Sequence, residues 1–128
     1  MAKIYGECRE VMDKTEWIAI TSLGGDGSHT VATWGDHARK IGIEDDEVIV
    51  IPAGKYDKTE ENLRANNHVE LLIASKQVQG RHGSGQGCRI SGEGELQTTG
   101  KFAKVAKENF PWARGALVIK VEEVKTQL

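Results

Sequence analysis

The chain has 128 residues, 38% of them hydrophobic and 28% charged, a globular composition for which one domain, residues 1–128, is the natural count. Its net charge is −2, and 17 Lys and Arg are scattered among 19 Asp and Glu, which leaves no basic footprint for nucleic acid. No apolar run approaches the ~20 residues of a membrane span, and no leader segment is visible, so the expectation is a cytoplasmic protein with neither membrane nor nucleic-acid partners.

In chain order, Gly6–Lys14 places Cys8, Val11 and Met12 at i, i+3 and i+4, the spacing of a short amphipathic helix. "EWIAITSL", the turn "GGDGS" and "HTVATW" read as a hairpin of Trp17–Leu23 with His29–Trp34. Glu47–Ile51 is a buried strand and Asp57–Asn66 a short helix. "VELLIAS" and the glycine-kinked "CRISGEGELQT" are strands. Lys101–Phe110 is helical, with Phe102, Val105 and Ala106 on one face, and "GALVIKVEEVKT" closes the chain as a strand. Six strands, two or three short helices and no βαβ rhythm predict a mainly β fold, a small closed antiparallel barrel.

Cys8 and Cys88 form no Cys-x-x-Cys motif, and no histidine pair sits at zinc spacing. Both read as buried thiols in a reducing compartment, with a disulfide between them as the alternative. Several motifs carry no chemistry. "QGRHGSGQG" (Gln79 to Gly87) lacks the Lys-Ser/Thr of a phosphate loop and leads into a strand, so it reads as a hairpin connection. The carboxylates of "IEDDE" (Ile43 to Glu47) read as a solvated turn. No Gly-x-Ser-x-Gly elbow is present, and His29, His37, His68 and His82 share no spacing.

"VIVIPAGKYDKTEENLRANN", Val48 to Asn67, is different. Asp57 and Glu60 stand at capping-box spacing, Asp57 as the N-cap and Glu60 at the third helical position. Lys58 and Thr59 then occupy the first two helical positions, where backbone N–H groups lack intrahelical partners and the dipole is positive. An ammonium and a hydroxyl there suit a phosphate. The helix has only Leu63 as a large apolar residue, so a ligand at its start would give it a reason to exist. Trp34, at the end of "TVATW", and Trp112, in "FPWARG", lie outside the obvious core and suit stacking on a flat heterocycle.

"TVATW", "VIVIPAGKYDKTEEN", "GRHGSGQGCRISGEGEL", "WARGALVIKV" and the terminal "QL" together resemble the FMN-binding split-barrel superfamily, the pyridoxamine 5′-phosphate oxidase-like fold, and within it the small bacterial FMN-binding proteins. The blocks cover nearly the whole chain. The resemblance implies a six-stranded antiparallel split β-barrel of Greek-key type and a homodimer with one FMN per subunit near the interface. It implies that Thr33, Lys58 and Thr59 hold the phosphate and that Trp34 flanks the isoalloxazine. The backbone of Ala53, Gly54 and Lys55 would follow the ring's polar edge, Trp112 would lie near the ring, and Leu128 would reach over from the partner subunit. Lys55 stands where the family pattern has a second glycine, and Tyr56 and Asp57 also depart from it.

The implied function is that of a flavin electron carrier serving a redox partner protein or a small-molecule electron donor. The alternative is an NAD(P)H-dependent flavin reductase, an FMN-dependent oxidoreductase. The sequence carries no nicotinamide fingerprint and no positioned acid or base, so no catalytic residue and no metal ligand is assigned. A barrel of this type holding haem or a deazaflavin is a third class.

Overall fold

The computed structural model describes residues 2–128. Four helices, α1 (Gly6–Lys14), α2 (Gly35–Ile41), α3 (Asp57–Ala65) and α4 (Lys101–Asn109), accompany seven strands. The strands are β1 (Trp17–Gly24), β2 (Gly27–Trp34), β3 (Ile43–Glu44), β4 (Val48–Ala53), β5 (His68–Gln79), β6 (Ser84–Gln97) and β7 (Gly115–Thr126). They form one antiparallel sheet in the order β2-β1-β5-β6-β7-β4-β3.

The alternation that announces β1 decides its burial. Ile18, Ile20 and Ser22 point inward and Trp17, Ala19, Thr21 and Leu23 outward. The inward rows of β1, β4, β5, β6 and β7 meet in one core that includes Ile18, Ile20, Ile51, Leu71, Ile90 and Leu117. A smaller cluster of Val50, Ala106, Ala116 and Val118 seats α4 on the opposite face of β4 and β7. The long β6 and β7 slip register at Ser91/Gly92. A Cβ on Gly92 would run into the Lys120 carbonyl, so the bulge requires glycine there.

Several expectations are corrected. The sheet has seven strands rather than six, and β2 and β3 stand at its two edges, so it is not closed. The extra strand, β3, is two residues paired to β4. The glycine-rich segment is a hairpin connection as expected, between the antiparallel β5 and β6, but a shorter one: β5 runs to Gln79 and β6 starts at Ser84, with Gly83 and Gly85 at positive φ in and beside the turn. Helix α2 was not predicted, because over seven residues only Gly35 and Ala38 are buried and no periodic apolar stripe can form.

In place of two thiols, Cys8 of α1 and Cys88 of β6 are joined by a disulfide, with Cα atoms 5.7 Å apart. Neither cysteine is a free thiol, so they give no indication of a reducing compartment. Among the described residues no helix is long and apolar enough to cross a membrane.

Candidate functional site

Strand β4 delivers the buried Ala53 to a short loop, Gly54–Lys55–Tyr56, that turns directly into α3. The loop is held from one side by Arg114, which precedes β7. The Arg114 backbone N–H donates to the Ala53 carbonyl at 2.8 Å. Its guanidinium donates from Nε to the carbonyls of Gly54 (2.7 Å) and Lys55 (3.0 Å), and from Nη2 to Lys55 again (2.5 Å). Nη2 also reaches the Glu60 carboxylate at 3.1 Å.

This arrangement corrects the capping box. The N-cap is Tyr56, in the left-handed region at φ 56°, and no side chain caps the helix. Asp57 is the first helical residue, and Glu60 is turned away to Arg114 and Arg64. Glu60 N–H closes the first helical bond, to Tyr56 O, so the amides of Asp57, Lys58 and Thr59 lie in the part of the turn that has no intrahelical acceptor. Thr59 is fully buried, and its hydroxyl has no hydrogen-bond partner among the described residues. An unmatched buried hydroxyl costs about 1–3 kcal/mol. Its place at a positive helix end is what an anion site needs.

Lys58 is half-buried, and its Nζ lies 3.3 Å from Asp26 in the β1–β2 turn and 3.8 Å from Glu61. The hydrogen bond from Lys58 holds the Asp26 carboxyl below its usual value of 3.8, helped by the charge of the same ammonium. Thr33 lies on the inward-facing row of β2, opposite Ile18, near the Tyr56 phenol. Burial pushes that phenol above its usual 10.0, and the Thr33 contact partly offsets the rise. Tyr56 is thus a strut between the edge strand and the loop.

Trp112 packs on the other end of the loop. A Cβ on Gly54 would sit 3.4 Å from its indole. The indole also meets His37 of α2 and Phe110, with centroids 5.7 and 5.5 Å away. Lys55 is exposed.

Thr33, Ala53, Gly54, Lys55, Lys58, Thr59 and Trp112 are therefore brought together. Trp34 is not on the same side: strand alternation puts it on the outward face, paired with the equally exposed Trp17. Leu128 lies elsewhere, against Gly87, with its backbone bonded to Gln86 and Arg81. The sequence reading missed Arg114, Tyr56 and Asp26 as parts of the site. "WARG" and "KYD" were visible, but their pairing was not. A groove of about 530 Å³ opens beyond α3, between residues including Arg64, Asn67, Glu93 and Lys120. It shares only Glu60 with this cluster, and its mixed charges single out no ligand, so the chemistry is placed at the α3 N-terminus.

An antiparallel β fold with an uncapped, Lys-Thr-bearing helix start defines the class, and comparison with known proteins supplies the family. No family model matches the chain. It is 37% identical over 120 residues to the FMN-binding protein of Nitratidesulfovibrio vulgaris, across 93% of this chain and 94% of that protein. In fold it is similar to the crystal structure of a HupZ variant from Group A Streptococcus, with a TM-score of 0.76, 18% identity, and 97% and 99% of the two chains covered. It is also similar to a Listeria innocua protein described provisionally as a pyridoxamine 5′-phosphate oxidase, with a TM-score of 0.63, 21% identity, and 92% and 93% covered. The chain belongs to the FMN-binding protein family, and its fold is similar to that of structures described as pyridoxamine 5′-phosphate oxidases.

Proposed function

We propose that this protein binds FMN at the start of α3 and works as a dimeric flavin electron carrier. The observation that carries the reading is the Thr59 hydroxyl, buried and unmatched at an uncapped helix N-terminus beside Lys58. The residues fit the group. Thr59, Lys58 and the first-turn amides would take the phosphate, with Thr33 close by through Tyr56. The loop backbone from Ala53 to Lys55 would take the ring's polar edge, with Trp112 beside it. FMN, when bound, supplies reversible transfer of one or two electrons. The chain's part is to bind it, orient it and exclude water from it.

The dimer reading rests on the outward face of β2, β1 and β5, which we infer to be one side of a split barrel. Trp17 and Trp34 are 50% and 55% exposed, Leu72 is 47% exposed, and register places all three on that face with Ala19 and Ala32. Leu128, 60% exposed, packs on Gly87, which pairs with Ala74 two residues along from Leu72. An apolar patch of this kind suits a symmetric contact with a second copy.

The absorption spectrum of the purified protein tests the reading, followed by anaerobic addition of NADH and NADPH. A flavin spectrum that persists with both nucleotides and bleaches with a chemical reductant is the expected result. Bleaching by a nucleotide alone would assign a reductase instead. A colourless protein that takes up no FMN would refute flavin binding.

A further inference from the structure

Within the flavin reading, and resting on it, the geometry points to Arg114 as a positioning residue that aims the loop amides of Lys55 and Tyr56 at the ring's polar edge. The peptide bonds of the loop are trans, so each C=O is antiparallel to the N–H of the same peptide plane. The Gly54 carbonyl shares its plane with the Lys55 N–H, and the Lys55 carbonyl with the Tyr56 N–H. Both carbonyls turn toward one guanidinium, at 2.7 Å and at 3.0 and 2.5 Å. Both N–H groups therefore point away from Arg114. They continue into the unbonded amides of the α3 first turn, since Tyr56 is the left-handed residue that joins loop to helix. Successive amides converging in this way form a concave anion- or acceptor-binding nest.

The other contacts fix the guanidinium itself. Glu60, a mostly buried carboxylate, holds Nη2 at 3.1 Å, and Asp57 lies 3.7 Å away. The fork geometry matters: Nε and Nη2 share the Lys55 carbonyl while Nε also serves Gly54. A lysine ammonium would keep the charge, but it is a single point and cannot reproduce the planar fork. Arg114 thus fixes the direction of the Lys55 peptide with a side chain.

The test is Arg114→Lys, with FMN and riboflavin each titrated into the apoprotein and the flavin's midpoint potential recorded. Both flavins carry the ring edge, so both affinities should fall together, by about tenfold for the loss of one well-placed hydrogen bond or more, and the potential should shift. Affinities and potential equal to wild type would overturn the proposal, as would a loss confined to FMN, which would make Arg114 a phosphate residue. A second measurement uses the wild-type chain. Amide hydrogen exchange at Lys55 and Tyr56 should be fast in the apoprotein and slowed by riboflavin. Exchange unchanged by riboflavin would overturn the proposal even if the variant does not fold. A wild-type chain that binds neither flavin would sink the flavin reading itself, and this one with it.

Discussion

The Lys58 ammonium lies 3.3 Å from the Asp26 carboxylate, across the gap between the start of α3 and the β1–β2 turn. If Lys58 serves a phosphate, Asp26 competes for it. Asp26 ionises below its usual 3.8 because of that hydrogen bond. The pair's stabilisation is therefore present above 3.8 and lost only as pH falls through the lower folded value, so the competition persists at neutral pH. Asp26→Asn should tighten FMN by about twofold to fivefold, the scale of an exposed ion pair, and leave riboflavin unchanged. Lys58→Ala should weaken FMN by about one to two orders of magnitude, again sparing riboflavin. Parallel titrations of both flavins at low salt decide the matter. Equal changes for the two flavins would remove the phosphate from this corner.

Thr59→Val separates ligand binding from stability. The hydroxyl is buried without a partner, and valine has nearly the same shape. The apoprotein should gain stability, by roughly 1 kcal/mol or more, because the desolvated hydroxyl is gone. FMN affinity should fall by about threefold to tenfold, the worth of a neutral hydrogen bond, and riboflavin affinity should hold. Urea unfolding of the apoprotein and flavin titration report the two effects independently. An apoprotein destabilised by the change would mean that Thr59 has a structural partner.

The elements that local chemistry dictates were legible. Alternation in "EWIAITSL" gives the inward Ile18 and Ile20, and the Lys58–Thr59 pair at a helix start is visible as written. The unpredicted parts depend on distant or unusual backbone. Tyr56 takes a left-handed conformation that only glycine ordinarily advertises, so Asp57 was placed at the cap one residue late. Arg114 acts on carbonyls 59 and 60 residues away, and carbonyl direction leaves no mark in a sequence. The seven-residue α2 is too short to show a period.

The disulfide was also hidden, because Cys8 and Cys88 are 80 residues apart and meet only once α1 lies on the sheet. A loop of that length gives a large chain-entropy effect. Replacing both cysteines with alanine should lower unfolding free energy by roughly 3–5 kcal/mol. The measurements are urea midpoints with and without reductant, and thiol titration of the denatured, unreduced protein. Two reactive thiols per chain in the protein as purified would contradict the bridge.

Leu128 has its backbone fixed and its side chain left out. Its N–H donates to Gln86 Oε1 at 2.8 Å, its carbonyl accepts from Arg81 N–H at 3.2 Å, and Gln127 N–H donates to the Gly87 carbonyl at 2.7 Å. Gln86 is itself buried, and its Nε2 donates to Glu7 of α1 at 2.7 Å. Two hydrogen bonds on Leu128 and one on Gln127 thus hold a leucine that remains 60% exposed. Coverage of the partner's flavin by that side chain would account for the cost of ordering it. Deleting Leu128 should leave the subunit fold intact, shift sedimentation toward monomer, and weaken FMN by roughly 1–3 kcal/mol for one buried leucine. Gln86→Ala should act in the same direction with Leu128 still present, because it releases the backbone that presents the side chain. It should also cost some subunit stability through the lost Glu7 contact, so apoprotein unfolding is measured alongside. A full-length chain that sediments as a monomer with full FMN occupancy would defeat the dimer reading, and Leu128 would then be an ordinary exposed end.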